Sequence, residues 1–311
     1  STVRVNNATG AGFLRAAVNC TGGGEVKADW VGRVSVSAPV VVAEGTFLSV
    51  TGEGDLAEVH AGGSHTRLFQ VSPSAILTLT RLKLLGGSAV GGGAIFSEAA
   101  DLTLDNCTFE GNVATDGNGG AVSAHGGNVT IVCGEFSGNS ATRYGGAVHS
   151  VDGKLLVQGE SKFKSNTAIG GGALFCGSEN QHAACSITDA EFVSNSAARA
   201  IQDENYKEEE LNVVGFTYLD GDGAVMFLFA NVDITDSVFN GNHALLAGGA
   251  LHGGLDTDIT ANGCRFVDNN AGKYGGAISA CSMTLGGGTQ LTNNLALDAG
   301  GAVSATKMPD S

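Results

Sequence analysis

The stretch Phe136-Ser137-Gly138-Asn139-Ser140-Ala141-Thr142-Arg143-Tyr144-Gly145-Gly146-Ala147-Val148 decides the fold, because variants of it recur along most of the chain. Phe-x-x-Asn-x-Ala appears at Phe109/Asn112/Ala114, Phe136/Asn139/Ala141, Phe163/Asn166/Ala168 and Phe192/Asn195/Ala197. It returns at Phe239/Asn242/Ala244 and Phe266/Asn269/Ala271, with a leucine version at Leu291/Asn294/Ala296. Every copy but one leads into Gly-Gly-Ala and an aliphatic residue, as at Gly120-Ala121-Val122 or Gly276-Ala277-Ile278; after Phe192/Asn195/Ala197 the pattern fails and Ala198-Arg199-Ala200-Ile201 stands instead. The glycine before alanine falls at 93, 120, 146 and 172, then at 249, 276 and 301. A fixed spacing of about 26 residues is the mark of stacked repeats.

The residue after Gly-Gly-Ala, or after the degenerate Gly223-Ala224, is always aliphatic: Ile95, Val122, Val148, Leu174, Val225, Leu251, Ile278 or Val303. The next one scatters over Phe96, Ser123, His149, Phe175, Met226, His252 and Ser279, which reads as an outward position. Alternation of this kind is the two-residue period of a strand, and helical periodicity is nearly absent. One such repeat cannot bury its own apolar side, but stacked repeats share a core. The expected fold is all-β: a right-handed, single-stranded parallel β-helix with about three strands per rung. Stacking places Phe109, Phe136, Phe163, Phe192, Phe239 and Phe266 in one internal column. Asn112, Asn139, Asn166, Asn195, Asn242, Asn269 and Asn294 fall in an amide ladder, as in other cross-β stacks. These residues are scaffold, because a catalytic residue is needed once rather than in every repeat.

A solenoid grows along one axis, so residues 1–311 read as a single domain of roughly 12 rungs at the usual inter-strand spacing. Residues 1–30 are expected to form an N-terminal cap, with Phe13–Val18 as one helical turn. Residues 31–85 read as irregular rungs and 86–305 as rungs with the strict motif. The charged run within 202–210 cannot be core and reads as a loop. The absence of a leader and the stop just after a repeat turn predict an excerpt or a processed chain, and the open C-terminal rung predicts continuation into more chain or end-to-end packing.

The 49 glycines with only 3 prolines, in a chain 42% hydrophobic, fit ordered structure with many tight turns. A formal charge of −15 argues against nucleic acid and anionic membrane surfaces as partners. No apolar run reaches the ~18 residues of a membrane span. Among seven cysteines, Cys176 and Cys185 flank one short loop and are the best local disulfide candidate. Cys107 and Cys133 lie about one rung apart, and Cys264 with Cys281 is a third candidate pair; buried free thiols are the alternative. No Cys/His spacing fits a metal, and no cofactor is expected. Asn7, Asn19, Asn106 and Asn128 head Asn-x-Ser/Thr sequons, candidates for N-glycosylation in a eukaryotic secretory protein.

Phe-x-x-Asn and Gly-Gly-Ala-[Ile/Leu/Val], alternating in phase over residues 86–305, resemble the polymorphic outer membrane protein (Pmp) repeat family. The flanking pattern is similar to the wider pectate-lyase-like β-helix superfamily. The resemblance implies a surface-exposed, often adhesive passenger domain. Similar repeats in other lineages keep a eukaryotic extracellular structural glycoprotein open.

Enzymes of this fold use clustered carboxylates, and the chain has no Asp-Asp pair and no Gly-His-Gly. The nearest acidic cluster is Asp220-Gly221-Asp222, with Asp203 and Glu204 about one rung before it. Asp256 and Asp258 share a strand face with no adjacent Arg or Lys. His149 and His252 hold equivalent positions an expected four rungs apart, too far to cooperate. His60 and His65 read as solvated turn residues. Phe96, Phe175 and Met226 read as one outward contact stripe. The expectation is a non-catalytic extracellular structural or adhesive module on a cell surface or in a filament. Its partners would be other subunits, including itself, or glycans. The alternative is a polysaccharide-active lyase, hydrolase or epimerase.

Overall fold

The computed structural model describes residues 3–4, 26–27, 30–63, 65–178, 183–198 and 222–305. The expected cap turn Phe13–Val18, the loop 202–210, Cys20, Asn7, Asn19, Asp203, Glu204 and Asp220 lie outside them. Every strand pairing among the described residues is parallel, and none of these residues is helical.

One coil shows the plan. Ile95–Glu98 and Asp101–Asp105 form two sides, Thr108–Glu110 a third, and the two-residue strand Val113–Ala114 leads toward the next glycine turn. In the following coil the first two segments fuse into Val122–Val132. Single residues in the left-handed region make the corners. Asn106 and Cys133 start the phenylalanine side, with φ of 51° and 50°. Gly111, Gly138, Ser165, Ser194, Gly241, Asp268 and Asn293 end it, all at positive φ. At Gly138 a Cβ would meet nothing within 4 Å, which explains why this corner accepts serine, aspartate and asparagine elsewhere.

The second glycine of Gly-Gly-Ala is different. A Cβ on Gly120 would collide with the carbonyl of Gly146 and lie 2.6 Å from that of Ser140. The chain there passes so close to the coil above that only hydrogen fits.

Register pairing runs Val34, Val59, Leu84, Phe109, Phe136, Phe163, Phe192, Phe239, Phe266, Leu291. Among the described residues these are ten levels separated by about nine turns, where length alone predicts about 12. Part of the difference is insertion. Phe192 pairs directly with Phe239, so 47 residues serve one coil where about 26 suffice. Consecutive phenylalanine rings lie parallel, with centroids 4.7–4.9 Å apart. All six are buried, and each contributes about 1.5–3 kcal/mol by burial alone.

The asparagines form the expected ladder. Nδ2 of Asn139 donates to Oδ1 of Asn166 and to the carbonyl of Phe109, while its backbone N–H donates to the same Oδ1. The pattern repeats from Asn112 to Asn269, each donating to the next, and ends at Asn294. Buried amides are tolerated because their donors and acceptors are matched coil to coil.

Candidate functional surface

The outer face of the strand after Gly-Gly-Ala carries the chemically richest row. Pairing places Phe96, Ser123, His149, Phe175, Met226, His252, Ser279 and Ser304 side by side on successive coils. Alternation does point them away from the core, but they are not a solvated stripe. Ser123, His149, Phe175, Met226, His252 and Ser279 are all buried, and Phe96 is half-buried. A second apolar cluster explains part of this. Tyr144, Val151, Phe175, Met226 and Leu228 pack together outside the coil, with Phe229 against them. The expected contact stripe of Phe96, Phe175 and Met226 is therefore corrected: two of its members belong to an outer core, with Ser123 and His149 between them and Phe96.

Ring contacts continue the row toward the N-terminal coils. Phe175 lies 5.0 Å from His149 and 5.3 Å from Tyr144, His149 lies 5.4 Å from exposed His125, and His125 lies 5.7 Å from Phe96. The Arg67 guanidinium covers Phe96 at 4.8 Å and donates to the carbonyls of Gly91 and Gly92.

His149 and His252 are three coils apart, by way of Phe175 and Met226, not four. That is about 14 Å. The insertion again explains the difference, because Phe175 pairs directly with Met226 although 51 residues separate them in sequence. Burial pushes the His149 imidazole down to about 3, with His125 adding to the effect, and pushes His252 down to about 4. The Nδ1 atoms of both histidines and Oγ of Ser279 are buried without a hydrogen-bond partner.

Sequence reading missed the partner of His252. Asp222 is fully buried at the turn of the coil below, and its Oδ2 lies 3.9 Å from His252 Nε2. Its Oδ1 accepts the Ala247 N–H. Asp222 takes the place that Gly170 holds one coil earlier: the Gly145 N–H donates to Gly170, and the Gly171 N–H to Asp222. An aspartate where other coils have glycine, alanine, asparagine or tyrosine was the available signal.

The remaining candidates fall elsewhere. His60 is a strand residue rather than a turn residue. Its Nε2 hydrogen-bonds Glu58 at 2.8 Å and its Nδ1 accepts from Arg33 at 2.7 Å, and this hydrogen bond holds the Glu58 carboxyl below its usual range. His65 is an exposed residue at positive φ. Asp256 and Asp258 are both exposed. Among the described residues no group of three His, Cys, Asp or Glu side chains is placed to hold a metal.

Cys176 and Cys185 are joined in a disulfide. Both are buried inside the solenoid, and the bond joins two strands of one coil, Leu174–Gly177 and Ala183–Thr188. The Cys107–Cys133 and Cys264–Cys281 pairings are not made. The Cys107 thiol is buried against the carbonyls of Leu79 and Asp105, and burial raises it to about 12. Cys133 faces outward at a corner. Cys264 is buried against Ile234 and Asn262 carbonyls, its thiol likewise raised. Of the two described sequons, Asn106 is exposed at a corner, whereas the Asn128 amide donates to Asp101.

Two segments, 106–125 and 135–151, match the model of the Chlamydia polymorphic membrane protein (Chlamydia_PMP) repeat. Each runs from the phenylalanine side through the glycine turn into the next coil. No curated protein matches the chain. A solved structure of Geobacillus virus E2 ORF18 is similar over 95% of this chain and 60% of its own length, at 10% identity and a TM-score of 0.48. No helix among the described residues is long and apolar enough to cross a membrane. The described residues form a parallel β-solenoid, two segments of which are similar to the Chlamydia polymorphic membrane protein repeat.

Proposed function

We propose that this chain is a surface-associated, extracellular β-helix module whose role is structural or adhesive rather than catalytic. The observation that carries the reading is the Pmp-type repeat match on two adjoining coils. The buried Cys176–Cys185 disulfide supports an oxidising compartment. The repeated side chains serve the stack, which leaves the long faces and the coil ends for contact. Its partners are other protein subunits, including copies of itself, and glycans. Electron microscopy of the native material, with antibody labelling of intact cells, tests this. Regular surface layers or filaments containing the chain are the expected result, and confinement to the cell interior overturns the reading.

A second reading, a polysaccharide-active enzyme, is favoured by one observation, the Asp222 carboxylate beside the His252 imidazole on the outer face. It requires glycan cleavage that is lost in Asp222→Asn. Absence of new reducing ends across a glycan panel removes it.

A further inference from the structure

We propose that the outer layer around His149 and His252 is an acid-sensitive latch. Protonation of these imidazoles opens the layer and exposes an apolar surface of Tyr144, Phe175, Met226 and Leu228, while the inner phenylalanine and asparagine columns stay folded.

The geometry places one buried histidine at each end of the patch. His149 adjoins Phe175 in register, and His252 adjoins Met226. The groups facing His149 are Ser123 and exposed His125 from the coil below and Phe175 from the coil above, with Tyr144 from the preceding turn region packed against Phe175. Among the described residues no carboxylate is in ion-pair contact with it. A proton on His149 would therefore sit unpaired in an apolar layer, and a proton on His125 adds repulsion. His252 faces Met226, Ser279 and the Asp222 carboxylate, which works in the opposite direction. His149 is thus the stronger trigger. The inner columns contain no titratable group: they are phenylalanine rings and neutral amides.

The direction follows from where each state holds its protons. Both histidines titrate lower in the closed layer than the ordinary value of 6.5. The closed state is fully favoured above about pH 6.5. As pH falls from there toward about 4 for His252 and about 3 for His149, the open state binds more protons. The closed-to-open ratio then drops about tenfold per pH unit for each histidine.

Met226 is a built-in reporter, since it is 1% exposed and a thioether is oxidised by peroxide only when reached. Half-buried Met283 reports the intrinsic rate. The intact chain would be treated with dilute hydrogen peroxide from pH 8 to 4, with sulfoxide read by mass spectrometry and fold by far-ultraviolet circular dichroism. The expected result is at least a tenfold rise in Met226 oxidation relative to Met283 between pH 6.5 and 4.5, with the β-sheet signal unchanged. His149→Phe, which imitates Phe96 and Phe175 of the same row, should move the rise to lower pH by about one unit. The proposal is overturned if Met226 stays protected at pH 4.5, if its oxidation rises only in step with loss of the sheet signal, or if His149→Phe opens at the wild-type pH. Should that variant not fold, the wild-type comparison of oxidation with sheet signal decides alone.

Discussion

The Asn139 side chain touches Asn166 through a single acceptor that serves two donors: Oδ1 of Asn166 receives both the backbone N–H and the Nδ2–H of Asn139, each at 3.0 Å. Both groups are buried. Removing Asn166 therefore orphans two donors on Asn139 and the Phe136 carbonyl at once. At roughly 1–3 kcal/mol for each unsatisfied buried group, Asn166→Ala should cost on the order of 3–5 kcal/mol. Asn294→Ala, at a half-exposed level, should cost less than half of that. Urea unfolding of both variants checks the ratio. Equal losses would show that the ladder is not what holds these coils.

Phe136 lies between Phe109 and Phe163 in the ring column. Phe136→Ala should cost about 3–5 kcal/mol as a core deletion. Phe136→Leu should cost under about 1.5 kcal/mol, since Leu84 and Leu291 occupy the same column. A loss below about 1 kcal/mol for alanine would reject a tightly packed column.

Two glycines give opposite expectations. Gly120→Ala puts a methyl into the backbone of Ser140 and Gly146, so the coils must part. A loss of more than about 3 kcal/mol, or failure to fold, is expected. Gly138→Asn enters open space at a corner where Asn293 already holds φ of 55° in the equivalent place. Its effect should stay within about 1 kcal/mol. Thermal melts of the pair measure the contrast.

Thiol chemistry should sort the cysteines. Under native conditions Cys133 reacts readily with an aromatic disulfide reagent, whereas Cys107, buried and raised to about 12, does not. Replacing Cys176 and Cys185 together by serine should cost about 2–4 kcal/mol. Rapid labelling of Cys107 in the folded protein would contradict the packing described for it.

The scaffold was legible because repetition exposes it. A residue type that returns every 25–29 positions on either side of one long gap must have a place in every coil, so the phenylalanine, asparagine and glycine columns could be assigned from the sequence. The outer layer was not legible in the same way. Alternation tells which side of a strand a residue faces, but not whether that side is covered. His149 and Met226 face out and are nevertheless buried. Counting residues failed at the insertion between Phe192 and Phe239, where sequence distance stops measuring height along the axis. The Asp222–His252 pair was hidden for a related reason, since it joins a turn in one coil to a strand in the next.

The asparagine ladder has one further consequence. From Asn112 to Asn269 each Nδ2 gives one N–H to Oδ1 of the following asparagine and the other to a carbonyl of the preceding coil, so every Oδ1 from Asn139 onward faces the preceding asparagine. The column is thus an oriented array of amide dipoles, and the solenoid has a chemical head and tail. Two such rods meeting head to tail bring donors to acceptors and can continue the column. Rods meeting with like ends bring donors against donors, or acceptors against acceptors. Any axial assembly that uses this column is therefore vectorial, with all its members pointing one way.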